Sequence, residues 1–298
     1  MPSKNSELSQ MGGEFRFPAR VEQLDEQTIH RIAAGEVVDR PASALKELIE
    51  NSLDAGATEI KIQIGDGGLG FLEVTDNGHG IRSSDLNLCF QRHATSKIRH
   101  AEDLDRILSF GFRGEALAAI SSVSELFVQS RFQSAENAFE SRIVHGVVGK
   151  IIPSSRSVGT KIRIENLFDL VPARKKFLKS ATVEGRYSWQ VVKEMAMAHP
   201  QCRFEAYWLN SGGEIKASLE SEICTLQKRF QDLADIDEVW SWSEEEDLSP
   251  GVKEISIAMG APPNFAKNQK SIFLSVNGRC VFDKSLPYAL REAMSSLI

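Results

Sequence analysis

Glu47 and Asn51 stand one helical turn apart in PASALKELIENSLDA, and their spacing is the first sign of chemistry in this sequence. Leu45, Leu48, Ile49 and Leu53 recur at helical spacing there, while Glu47, Glu50, Asn51 and Asp54 gather on the opposite side. A carboxylate beside an amide oxygen suits a water-activating base next to a metal ligand; the plain alternative is a solvated acidic face. The second unit is Asp76-Asn-Gly-His-Gly80-Ile, after the strand-like FLEVT. A carboxylate only accepts hydrogen bonds, so Asp76 at a pocket floor would favour adenine, with its amino donor, over guanine. Gly78 and Gly80 would let the backbone approach a ring, although DNG is also an ordinary β-turn, and His79 is expected in an exposed loop.

The turn FGFRGEAL opens a helix, so the free amides of Gly111, Phe112, Arg113, Gly114 and Glu115, continuing into Ala116 and Leu117, could cradle an anion. Arg92-His-Ala-Thr95-Ser96-Lys97 offers cations and hydroxyls to cover the same phosphates, with His93 expected to be structural. Each segment also reads as a turn or solvated loop. Gly65-Asp-Gly-Gly-Leu-Gly70 has the dinucleotide fingerprint spacing but leads into a strand instead of a helix, so it reads as a hairpin turn. The phosphate loop GxxxxGK[ST] does not occur.

These segments need elements to hold them. A helix is expected from near Asp25 through IHRIAAGEVV, and another from Pro41 to a stop at Gly56. EIKIQI and FLEVTD alternate as a hairpin, with further strands at ELFVQS, ESRIVHGVVGKII and GTKIRIENLF. The basic PARKKFLKS precedes a helix around YSWQVVKEMAMAHP and a strand CRFEAYWLN, and NSGGEIKASLESE reads as a domain boundary. Beyond it lie a helix near SEICTLQKRFQDL, strands near KEISIAMG and SIFLSVNG, and a helix from Leu286.

Composition limits the function classes. The 298 residues carry 42% hydrophobic and 26% charged side chains, which fits about two globular domains and argues against disorder. No apolar run approaches a membrane span, and the N-terminus lacks a signal-peptide core, so a cytoplasmic location without membrane contact is expected. Four scattered cysteines suit reduced thiols and argue against structural zinc. A net charge of -6 confines nucleic-acid contact to a local patch.

IAAGEVVDRPASALKELIENSLDAGA, DNGHGI, RHATSKI and GFRGEALAAISSV, in this order, closely resemble the MutL-type DNA mismatch-repair ATPases of the GHKL group. The resemblance continues through VGTKIRIENLF, PARKKFL and FLSVNGRCVFDKSLPYALREA, covering roughly residues 24 to 298. It implies an α+β fold: an α/β sandwich ATPase domain over residues 24–217, after a flexible arm over 1–23. A second, incomplete α/β domain with a βαβ crossover follows over 218–298.

The resemblance also implies roles. Glu47 would activate water, Asn51 would hold Mg²⁺, Asp76 with Gly80 and Thr160 would read the adenine of ATP, and Gly111 to Leu117 would bind phosphates beneath a lid at Thr95, Ser96 and Lys97. Glu50 and Asp54 would orient their neighbours. ATP binding would pair two subunits into a clamp on DNA, linking a mismatch-recognition protein to a downstream nuclease or helicase. Arg174, Lys175, Lys176 and Lys179 form a basic cluster and Arg279 follows SVNG; these would contact DNA phosphates without reading sequence. Two departures stand out: Phe168-Asp-Leu-Val171 replaces the family's usual aromatic and Asn, and no second-domain lysine for the γ-phosphate can be named, which points to a truncated chain without nuclease motif and to slow hydrolysis. A topoisomerase-type ATPase subunit and a non-hydrolysing DNA-binding scaffold are the competing readings; RHATSKI disfavours the first, and the missing lysine keeps the second open.

Overall fold

A computed structural model describes residues 37–97, 110–111, 114–244, 252–261 and 272–281, with 285, 288–289 and 292. The expected arm, the helix near Asp25, Phe112 and Arg113 lie outside the described residues.

Helix α1 (Pro41–Asp54) starts with proline in its first turn, where no amide is missed, and ends before Gly56 at φ +73°, a value glycine adopts without strain. Leu45, Leu48 and Ile49 are buried on its apolar face, each contributing about 1.5–3 kcal/mol. That face packs on the hairpin β1 (Glu59–Gly65) and β2 (Phe71–Asp76), whose antiparallel register sets Ile60 opposite Asp76. Alternation fixes the chemistry here. Asp76 shares the parity of Leu72 and Val74, so its carboxyl points to the helix-covered face, whereas Glu73 points to the other and pairs with Lys161 at 2.9 Å. The GDGGLG turn bends tightly at Gly67 and Gly68, both at positive φ. A Cβ on Gly67 would lie 1.9 Å from the Ala181 carbonyl, so close chain packing, not a pyrophosphate, requires that glycine.

The chain continues through α2 (Leu86–Cys89), α3 (Ala116–Ser122), β3 (Glu125–Arg131), β4 (Ala138–Val144), β5 (Val147–Val148), β6 (Ile152–Ser154) and β7 (Gly159–Glu165). Then follow α4 (Pro172–Phe177), α5 (Ala181–Ala198), β8 (Arg203–Leu209) and β9 (Ile215–Ser221). These strands make one nine-stranded sheet, ordered β5-β4-β3-β7-β2-β1-β8-β9 with β6 beside β4; only β1 and β8 pair in parallel. Helices α1 and α5 pack together over one face, and ion pairs such as Lys61–Glu205 (3.1 Å) line the other, giving the expected α+β sandwich.

Strand β9 straddles the boundary expected after residue 217, yet it belongs wholly to this sheet, pairing Tyr207 with Ser218 and Phe204 with Ser221. The Gly-rich stretch before it is only a hairpin turn, so the first unit runs on to Ser221. Helix α6 (Leu226–Ala234) then leads to a second sheet, β10 (Val239–Glu244), β11 (Ile255–Gly260), β12 (Ile272–Val276) and β13 (Arg279–Cys280), all antiparallel neighbours. The expected βαβ crossover is not among the described elements. Arg229 of α6, fully buried, donates to the carbonyls of His199, Pro200, Cys202 and Glu222 and, in a short contact, of Ala196. It thereby ties the second unit to the end of α5.

Candidate functional site

Segments distant in sequence converge on the C-terminal half of α1. Ser52 donates its hydroxyl to Asp76 Oδ2 at 3.0 Å, and Asp76 Oδ1 accepts the amides of Gly78 (2.9 Å) and Thr160 (3.2 Å). Burial raises the Asp76 pKa, and those donors with Arg156 act against the rise. Thr160 is buried, its hydroxyl 3.0 Å from that of Ser130. Gly80 has φ +73°, and a Cβ there would lie 2.1 Å from the Arg131 carbonyl. The close approach that demands this glycine is thus to the chain's own backbone.

Two residues on from Ser52, at the end of α1, Asp54 gathers the phosphate-turn candidate. Its Oδ1 accepts the Phe110 amide at 2.9 Å, and its Oδ2 accepts the Gly111 amide at 3.2 Å and the Lys97 ammonium at 2.5 Å. Lys97 also donates to Asn51 Oδ1 at 3.0 Å. A Cβ on Gly111 would sit 3.2 Å from that ammonium, and one on Gly114 only 2.5 Å from the Ala94 carbonyl. The Thr95-Ser96-Lys97 segment therefore lies against the glycine turn, and Arg92 to Glu115 at 3.2 Å holds it there. Within the segment Thr95 accepts the Lys97 amide, while Ser96 is exposed. Glu115 precedes α3, which begins at Ala116; Leu117 packs against the main core.

Glu47 is half-buried and Glu50 buried on the same helix. Burial, then the Glu50 charge, lifts the Glu47 pKa, with Lys46, Lys97 and Arg279 pulling it back. His79 is exposed, as expected, and so is His93, whose ring lies 3.5 Å from Glu115. Among the described residues no group of three or more His, Cys, Asp and Glu side chains could hold a metal. Hard oxygen donors already gripping an ammonium, Asn51 with Asp54, fit a Mg²⁺ that takes few protein ligands and completes its shell with phosphates and water.

The sequence-based reading overlooked Ser52, which orients Asp76, and Phe110, which meets the second unit. The ring of Phe110 lies edge-on to His199 at 5.2 Å, its carbonyl accepts a short hydrogen bond from Arg279, and the Arg279 guanidinium lies 5.6 Å from its ring centre. Ser52 had one legible signal, its place beside Asn51; the Phe110 contact is long-range and had none. The structure turns Arg279 toward this joint, while Arg174, Lys175 and Lys176 sit on α4, with Lys175 held to Asp169 at 2.5 Å.

The layered sheet with α1, the Thr95–Lys97 segment and the glycine turn on one face is the fold of the histidine kinase, gyrase and HSP90 group of ATPase domains. A family profile described as "Histidine kinase-, DNA gyrase B-, and HSP90-like ATPase" matches residues 39–150. Proteins named DNA mismatch repair protein MutL are similar over longer stretches. That of Trichlorobacter lovleyi is 39% identical over 276 residues, 92% of this chain and 45% of the relative. That of Desulforamulus reducens is 47% identical over 192 residues, 64% of this chain and 30% of the relative. The solved Aquifex aeolicus MutL ATPase domain complexed with ADP superposes with TM-score 0.60 at 26% identity, covering 86% of this chain and 88% of that one. A solved N-terminal domain of a DNA repair protein shares the fold, with TM-score 0.68 at 23% identity over 87% of this chain and 79% of that one. The chain belongs to the MutL family of DNA mismatch-repair proteins, and it spans less than half the length of these two curated relatives.

Proposed function

We propose that this chain binds and slowly hydrolyses ATP with Mg²⁺, and that the hydrolysis serves DNA mismatch repair. One observation carries the reading: the oxygens of Asn51 and Asp54 hold a cation against the first amides of the glycine turn, where a metal-bridged triphosphate would need both. Asp76, fixed by Ser52 and two amides, would accept a hydrogen bond from the adenine amino group, with Thr160 beside it and Gly80 shaping the loop. The amides from Gly111 to Leu117 would hold the phosphates under Thr95, Ser96 and Lys97. Mg²⁺, held by Asn51, would neutralise phosphate charge. Glu47 would take the proton of the attacking water, its raised pKa making it a better acceptor than an ordinary carboxylate.

Binding of ATP would order the lid and pair two subunits through residues 1–23, forming a clamp that passes mismatch recognition to a downstream nuclease or helicase. Arg174, Lys175, Lys176 and Arg279 would hold DNA phosphates irrespective of sequence. No described helix is long and apolar enough to cross a membrane, and a cytoplasmic location accords with that. The test is Glu47→Ala. A general base contributes roughly 10²–10⁴-fold, so turnover should fall by that factor while a non-hydrolysable ATP analogue still binds. Parental turnover in the variant would overturn the assignment.

A further inference from the structure

Phe177, the last residue of α4, is 83% exposed, the most exposed large hydrophobic side chain among the described residues. Hydrophobic side chains of that size usually pack, and nothing in the described fold covers this one. Its surroundings are cationic: Lys175 and Lys176 precede it, Lys179 follows two residues later, and all three are exposed. Lys175 is engaged by Asp169, whereas Lys176 and Lys179 form no ion pair among the described residues. The Lys179 amide donates to Glu184 at 2.9 Å, and one turn further along α5 a second aromatic, Tyr187, is 45% exposed with the Arg40 guanidinium 4.6 Å from its ring centre. An aromatic ring framed by cations at nearest and next-nearest positions matches a polymer that alternates flat faces with negative charges.

We propose that Phe177 is a stacking platform for an unpaired nucleic-acid base, with Lys176 and Lys179 on the flanking phosphates; the idea rests on the DNA-contact reading above. A duplex keeps its base faces stacked and shows a protein surface only phosphates and groove edges, so a ring standing clear of the surface gains nothing from it. A single strand offers a face to every aromatic it passes, and stacking tolerates any base. An anionic membrane would also meet the lysines, but one ring buries little acyl-chain contact, and lasting attachment needs a larger apolar face.

Equilibrium titration of the chain at low salt with labelled oligothymidylate, and with a duplex of the same length, tests this. Phe177→Ala should weaken oligothymidylate binding about tenfold and leave duplex binding within about twofold, while Phe177→Trp keeps both. The ring is exposed, so its removal should leave thermal unfolding unchanged. Lys176→Glu with Lys179→Glu should weaken both nucleic acids. Unaltered oligothymidylate binding by Phe177→Ala overturns the stacking role, and if the lysine pair still weakens both ligands the wider DNA reading stands without it. Displacement of the oligonucleotide by phosphatidylserine vesicles, sensitive to Phe177→Ala, would assign the ring to a lipid surface and overturn the proposal as well.

Discussion

The Lys97 ammonium donates to Asn51 Oδ1 across 3.0 Å, so a cation from a segment over forty residues away fills the oxygen pocket at the end of α1. Asp54 closes the same pocket at 2.5 Å. Removing the ammonium leaves these oxygens facing one another without a positive charge. Lys97→Met should therefore lower the unfolding temperature of the nucleotide-free chain, and added Mg²⁺ should recover part of it where the parent gains nothing. ATP affinity should fall about tenfold, the scale of one charge-assisted hydrogen bond to phosphate. Thermal unfolding with and without Mg²⁺, beside nucleotide titration, checks both; an unchanged ATP affinity would remove Lys97 from the phosphate site.

Glu47 gives a pH dependence with a definite sign. Burial and the Glu50 charge hold its pKa above the ordinary 4.5, and a base works only when unprotonated. Turnover should then fall as pH drops through that raised value, earlier than an exposed glutamate would allow. Glu50→Gln removes the repulsion and should move the acidic limb down. Lys97→Met removes an attraction and should move it up. Profiles of kcat against pH for the three proteins decide the matter, and identical limbs would mean that another group governs them.

Asp76→Asn separates recognition from folding. Oδ1 already accepts two amides, so the amide oxygen of the new side chain must take that place and its NH₂ must turn toward Ser52. Ser52 can rotate its hydroxyl to accept, which keeps the loss of stability near about 1 kcal/mol. An adenine amino group would meet a donor there. ATP affinity should fall by roughly 10²-fold while GTP loses much less. Calorimetric titration with the two nucleotides reads the ratio; an equal loss for both would show that Asp76 does not face the base.

Short-range chemistry was legible in the sequence. The apolar spacing of Leu45, Leu48 and Ile49 gave α1, and period-two alternation gave the β1–β2 hairpin and the parity that turns Asp76 inward. The strand after GDGGLG excluded a dinucleotide loop, and Gly67 against Ala181 now explains that turn. Long-range pairing was not legible. Nothing local says that β9 returns to β8 across a Gly-rich hairpin, or that β10, with Trp240 and Trp242 exposed at a sheet edge, is a strand at all. Asp54 read as one more acid on a helix face, because its partners lie more than fifty residues on, at Phe110 and Gly111.

His199 supplies a stability prediction at the joint between the two units. Its imidazole is 3% exposed, edge-on to Phe110 and pressed by Gly278, where a Cβ would come within 2.9 Å of the ring. Burial, the largest influence, lowers its pKa from 6.5 to about 4. The unfolded chain therefore takes up a proton near pH 6.5 that the folded chain refuses until about pH 4, and stability must be lost as pH falls through that window. By about pH 5 the loss from this one group should reach roughly 2 kcal/mol, at 1.36 kcal/mol per unit. His199→Asn lacks the titrating ring. Its urea midpoint should start below the parent's at neutral pH, where packing on Phe110 is lost, and the gap should narrow toward pH 5. Midpoints measured across that range test the sign directly, and a constant gap would mean that the buried imidazole is protonated in the folded chain and that the joint is insensitive to acid.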